Sequence, residues 1–164
     1  MPGASSEDGD EARVGAIAEV ARTRGLRIAA AESLTAGRVS SLLGAGEAAS
    51  DWYSGAVVAY DEDVKFRVLG VTPGPVVTDV CARQMAEGVR RLLRADVAVA
   101  VTGVGGPGPD EGCPPGTVHV AVADAAGTRS VHARLPGDPA AVVAGATTLV
   151  LEELLHALET PARP

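Results

Sequence analysis

Hydrophobic positions along the chain alternate between two spacings. Val14, Ile17, Ala18 and Ala21 recur at helical intervals until Gly25, and Leu26 to Ala31 then reads as a short buried strand. Arg38 to Leu43 predicts a short helix stopped by Gly44 and Gly46, followed by a second strand over Trp52 to Tyr60. Asp61-Glu62-Asp63 suits the positive N-terminus of a helix carrying Lys65 and Leu69, and Val71 to Val77, with two prolines and a glycine, is a connecting loop. Thr78-Asp79 opens a long helix with an inner face of Cys81, Met85, Val89 and Leu92 or Leu93. Val97 to Val101 is the most β-like run in the chain. Strands over Thr117 to Asp124 and Ser130 to Leu135, joined at Ala126-Gly127, predict an antiparallel pair. The last helix, Asp138 to Leu158, is apolar around most of its circumference and so suits a core or a subunit interface, which favours a homo-oligomer. This order predicts a three-layer α/β/α fold with a mixed five-stranded sheet. Residues 1–10 read as a disordered lead-in and residues 11–160 as a single domain.

Composition narrows the possible partners. Hydrophobic residues make up 46% of the 164 residues and aromatics 2%, so the core is built from Ala, Val and Leu, which lets helices pack close to a sheet. A net charge of −7 repels phosphate backbones and anionic lipid surfaces, so neither nucleic acid nor membrane is expected as a partner. No uninterrupted apolar run approaches the ~20 residues of a membrane span. Met1 to Glu11 is small, polar and acidic where a signal peptide is basic and then apolar, so the expected location is cytoplasmic. Cys81 and Cys113 are too few to form a disulfide framework; Cys81 reads as a buried small hydrophobe and Cys113 as a loop thiol. His119, His132 and His156 show no metal-ligand spacing, and no metal or cofactor is expected.

Three segments carry candidate chemistry. Of fourteen basic residues Lys65 is the only lysine, leaving thirteen arginines, and it lies within Trp52 to Phe66, which holds every aromatic residue. Arginine stays charged, whereas a desolvated lysine can give up its proton and act as a base; the plain alternative is a surface lysine. Ser33 stands where a buried strand ends and a helix is expected, in position either to act as a nucleophile or to cap the helix. Thr102-Gly103-Val104-Gly105-Gly106-Pro107-Gly108 contains a formal G-x-G-x-x-G. Prolines keep it in a loop as far as Gly116, where a strand begins, so it reads as a backbone-lined wall for a small ligand, with or without a phosphate, or as a structural loop, not a dinucleotide fingerprint. No histidine lies near these loops, which leaves Lys65 as the evident base for Ser33. To serve at neutral pH it needs a pKa depressed by ~3 units, through burial beneath Trp52, Tyr53 and Tyr60, with Tyr60 relaying the proton or binding the oxyanion.

Together, Ala31-Glu32-Ser33-Leu34-Thr35-Ala36-Gly37, Ser54-Gly55-Ala56-Val57-Val58-Ala59-Tyr60 with Lys65 and Leu69-Gly70-Val71, and Thr102-Gly103-Val104-Gly105-Gly106-Pro107 with Pro115-Gly116-Thr117-Val118 resemble the CinA C-terminal domain family. The resemblance runs from about Val14 to Leu158. It implies a three-layer α/β/α fold with a mixed five-stranded sheet and a metal-free amidase that converts nicotinamide mononucleotide to nicotinate mononucleotide and ammonia. By the same resemblance Ser33 is the nucleophile and Lys65 the base, with Tyr60 beside them, while Thr35, Gly37, Thr102 and Gly103 are pocket-wall positions; Glu32 and, in the glycine loop, Gly105 are also expected to bind substrate.

The sequence departs from the family in two places. Glu62 stands where an asparagine is common. After Gly137-Asp138, Pro139 and Val143 replace two arginines usual in the family, which puts nucleotide affinity and substrate identity in question. These departures keep open a second reading, a non-catalytic nucleotide-binding module. A nicotinamide-dinucleotide oxidoreductase would rest on the glycine loop alone.

Overall fold

A computed structural model describes residues 4–160. The chain runs α1 (Ala4–Arg24), β1 (Ile28–Glu32), α2 (Arg38–Gly44), α3 (Ala49–Trp52), β2 (Tyr53–Val58), α4 (Glu62–Leu69), α5 (Asp79–Leu92), β3 (Val97–Gly103), β4 (Thr117–Asp124), β5 (Gly127–Arg134) and α6 (Pro139–Glu159). The five strands form one sheet in the order β2-β1-β3-β4-β5. β1 pairs in parallel with both β2 and β3, and β4 adds antiparallel to β3 and to β5. The predicted three-layer architecture with a mixed five-stranded sheet is therefore present.

The two faces of the sheet differ in side-chain size. Because strand side chains alternate, β3 directs Val97, Val99 and Val101 to one face and Ala98 and Ala100 to the other, and β4 repeats the division with Val118, Val120 and Val122 against Ala121 and Ala123. The valine face is covered by α1 and α6, whose Ile17, Val142, Val150, Leu151 and Leu154 are fully or almost fully buried. Each such side chain stabilises the fold by ~1.5–3 kcal/mol on burial. The alanine face admits α5 closely, through Cys81, Ala82, Met85, Ala86 and Val89.

The structure corrects several sequence expectations. The N-terminal helix begins at Ala4, so residues 4–10 of the expected lead-in are helical, while residues 1–3 lie outside the described residues. The buried Asp10 carboxylate ties that first stretch to the distant α6 by accepting from the Thr148 hydroxyl at 2.9 Å. Trp52 ends the short helix α3 instead of opening a strand. The 21 residues of α6, with an 18-residue window of mean hydropathy 1.5, do meet the length and composition of a membrane span; among the described residues its apolar stripe is spent on the valine face of the sheet and on α1.

The register fixes where a ligand can sit. Glu32 is the last residue of β1 and pairs with Val58 on β2 and Val101 on β3, so the parallel strands end together, and the segments after them converge on one edge. Open α/β sheets bind ligands outside such carboxyl ends.

Close approach of α5 to the C-terminus of α4 depends on Gly88, where an added Cβ would overlap the Leu69 carbonyl oxygen. Alanine in a helix interior normally gains ~1 kcal/mol over glycine. Gly88→Ala is expected instead to lose at least ~2 kcal/mol by overpacking, which a shift of the urea midpoint would show.

Candidate active site

Ser33 is positioned by the residue before it. Glu32 is fully buried, and its Oε1 accepts from the Thr35 hydroxyl at 2.6 Å, from the Gly37 N–H at 3.2 Å and from the Val39 N–H at 3.0 Å. Its Oε2 accepts from the Ser40 N–H at 2.9 Å. These donors include first-turn amides of α2, which a helix cannot satisfy itself. The helix has no side-chain cap of its own, because its N-cap is Gly37, which has no side chain and takes a left-handed conformation with φ 100°. Ser33 is thus free of the capping role. Its N–H is anchored to the Val101 carbonyl at 3.1 Å, and its hydroxyl makes no hydrogen bond among the described residues.

Lys65 arrives on α4, which Asp61 starts by accepting from the Asp63 N–H at 2.8 Å. Its side chain is 1% exposed and donates to the Tyr60 carbonyl at 3.2 Å. Burial pulls its pKa below 10.5, while Cys81, Glu62, Asp61 and Glu111 pull it upward. Cys81 opposes the shift only as a thiolate. Burial pushes its own pKa up to about 11, so near neutral pH it is an uncharged thiol and that opposition is absent.

Ser33 and Lys65 open onto the same cavity, of about 500 Å³, at the carboxyl edge of the parallel strands. Its far wall is the end of β3, Thr102 and Gly103, with the loop that follows, including Gly105 and Asp110, and Pro139 and Val143 of α6 close one side. Val76 and Val77 form another wall. The Glu111 carboxylate holds them, accepting from the Val76 N–H at 2.8 Å and the Val77 N–H at 2.8 Å, while the Thr102 hydroxyl donates to the Val76 carbonyl at 2.8 Å. Neither Glu111 nor the two valines stood out in the sequence, because the clamp joins residues more than thirty positions apart.

The predicted site residues divide into two groups. Ser33, Tyr60, Lys65, Thr102, Gly103 and Gly105 line the cavity. Glu32, Thr35 and Gly37 do not; they form the hydrogen-bonded turn behind Ser33. Tyr60 reaches Lys65 through its carbonyl, and its side chain is 70% exposed, so the ring does not bury the lysine. Trp52 and Tyr53 pack with the valine-face core, Tyr53 hydrogen-bonding Ser40 at 2.6 Å, whereas Cys81 and Leu69 belong to the alanine-face core on the side of Lys65. Gly103 permits β3 to pass close to Thr117 and Val118, whereas a Cβ at Gly105 would meet open space. The glycine loop leads into β4 and not into a helix, as its prolines predict. His119 and His132, far apart in sequence, are stacked cross-strand neighbours with ring centroids 4.7 Å apart. No group of three or more metal-ligating side chains is found among the described residues.

Comparison with known proteins agrees with this fold. Residues 10–158 match the CinA C-terminal domain. The chain belongs to that family. A CinA superfamily protein from Klebsiella pneumoniae 700603 superposes with TM-score 0.87 at 30% identity, covering 92% of this chain and 98% of that one. A second, from Enterobacter cloacae, gives TM-score 0.88 at 32% identity over 91% and 92% of the two chains. The CinA-like protein of Rippkaea orientalis is 39% identical over 124 residues, 72% of this chain but 30% of that protein. The chain therefore spans less than a third of that relative's length.

Because Glu32 alone serves four donors, Glu32→Ala is expected to destabilise the protein by at least ~3 kcal/mol, and Thr35→Val, which removes one donor, by ~1 kcal/mol. Denaturant midpoints of the two variants check this ordering.

Proposed function

We propose that the chain hydrolyses a carboxamide through an acyl-enzyme formed on Ser33, with Lys65 as general base. The observation that carries the reading is a buried amine, its pKa lowered by desolvation, on the same cavity as an unpartnered serine hydroxyl. Neutral Lys65 takes the proton as Ser33 Oγ bonds to the carboxamide carbon, and the carbonyl oxygen becomes an oxyanion. Backbone N–H groups of Leu34 and Gly105, both on the cavity and both without a protein acceptor among the described residues, are suited to receive that charge. Lys65 then gives its proton to the departing nitrogen, releasing ammonia and leaving an ester. Water, deprotonated by the same amine, cleaves the ester to the carboxylate and restores Ser33.

The family resemblance implies nicotinamide mononucleotide as the carboxamide, with nicotinate mononucleotide and ammonia as products. A binding module without turnover is the competing reading, favoured by Glu62 on the cavity wall, where its negative charge raises the lysine pKa. Ammonia release separates the two.

Ser33→Ala is expected to abolish ammonia release while remaining folded. Lys65→Arg, which keeps the charge but cannot shed it, is expected to lose at least ~100-fold. Unchanged turnover in either folded variant would overturn the mechanism. Because the base must be neutral, the wild-type rate is expected to rise with pH through an apparent pKa below 10.5. Stability follows the same sign: above the lowered pKa the folded state binds fewer protons than the unfolded one, so Lys65 makes stability rise with pH from there to 10.5.

A further inference from the structure

One wall of the cavity is fastened from outside it. The segment between α4 and α5 runs through Pro73, Gly74 and Pro75 to Val76 and Val77, which are buried and line the cavity. Its two ends are tied to α5: Gln84 Oε1 accepts from the Thr72 N–H at 2.9 Å, and the Thr78 hydroxyl accepts from the Cys81 N–H at 3.0 Å. Between those ends the fastening comes from β3 and the loop after it. The Thr102 hydroxyl donates to the Val76 carbonyl. Both carboxylate oxygens of Glu111 accept from the Val76 N–H, at 2.8 and 3.0 Å, and Oε2 also accepts from the Val77 N–H at 2.8 Å. The two amides have no other acceptor among the described residues.

The backbone of Glu111 is set for this reach. Asp110 and Cys113 exchange backbone hydrogen bonds at 3.1 and 2.8 Å around a two-residue turn in which Glu111 and Gly112 are both left-handed, with φ 50° and 73°. Such turns favour glycine, asparagine or aspartate at both central positions, so a glutamate there holds an uncommon conformation. Residues held in this way concentrate at functional sites, where their surroundings over-determine them. Glu111 is itself exposed and does not line the cavity. It can therefore act on the reaction only through the wall and through its charge. Burial lowers the Lys65 pKa, and Glu111 is among the charges that oppose it.

We propose that Glu111 is a positioning residue of the candidate site, whose grip on the Val76 and Val77 amides holds the wall against which substrate is captured. This rests on the amide-hydrolysis reading and adds to it a residue that never touches the reacting atoms. Losing the grip frees the two valines and weakens the bound substrate and the transition state alike, so KM rises while kcat is kept. Losing the charge acts separately, by letting Lys65 shed its proton at lower pH. Two substitutions part these effects. Glu111→Gln removes the charge and turns one acceptor into an NH2 donor, whereas Glu111→Asp keeps the charge on a side chain one methylene shorter.

Both variants, confirmed folded by circular dichroism, are compared with the wild type in three measurements: steady-state ammonia release from nicotinamide mononucleotide, hydrogen exchange at the Val76 and Val77 amides, and the pH titration of Lys65 labelled with 13C at Cε. On the high-pH plateau each variant is expected to raise KM at least ~tenfold with kcat within ~threefold of wild type. The two amides are expected to exchange at least ~tenfold faster in both. Glu111→Gln, but not Glu111→Asp, is expected to lower the Lys65 midpoint. An unchanged KM in both variants would overturn the proposal, as would a fall in kcat at unchanged KM. A Lys65 midpoint that is the same in all three proteins overturns the role given to the charge. If the wild type releases no ammonia, the hydrolytic reading fails by itself and exchange decides the grip: faster exchange in both variants upholds it, and unchanged exchange overturns it.

Discussion

The buried carboxylate of Glu32 is the interaction on which the site depends. It ends β1 at the centre of the parallel strands and gathers four donors from the next eight residues, three of them backbone amides. A group so placed costs several kcal/mol unless satisfied, and here its satisfaction determines the path of the chain. The turn that results frees Ser33 from capping α2 and leaves its hydroxyl at the sheet edge. A second carboxylate, on Glu111, does the same for the opposite wall by holding Val76 and Val77. Both acids build the cavity without lining it.

Lys65 contrasts with them. The carboxylates are buried with their hydrogen bonds filled, whereas the lysine has one carbonyl partner and a thiol neighbour whose pKa is pushed up to about 11. An amine in such surroundings is held there by packing against the alanine face, and its charged form gains little in return. That imbalance destabilises the fold below the lysine pKa and, in the proposed mechanism, supplies a base above it. Stability and reactivity therefore pull in opposite directions at this one side chain.

Much of this was legible in the sequence, for identifiable reasons. Strong β-branched runs such as Val97 to Val101, the caps at Thr78 and Asp138 and the glycine-marked hairpin fixed the architecture, because each is a local signal. Ser33 and Lys65 were legible as a pair through position and rarity. Interactions between distant residues were not legible: Asp10 with Thr148, Glu111 with Val76, and the contact of α5 with α4 at Gly88. The aromatic cluster misled, since Trp52 and Tyr53 belong to the valine-face core while the lysine is buried among alanine-face residues. Glu32 was expected in the substrate pocket, yet its carboxylate is taken up by the donors of the turn.

The central claim is that Lys65 is a desolvated amine able to be neutral near the working pH. Because it is the only lysine in the chain, protein labelled with 13C at lysine Cε gives a single side-chain resonance that needs no assignment, and its chemical shift followed against pH reports this one group. The structure predicts a titration midpoint below 10.5 in the folded protein and a return to the ordinary value in denaturant. A folded-state midpoint at or above 10.5 would contradict the account.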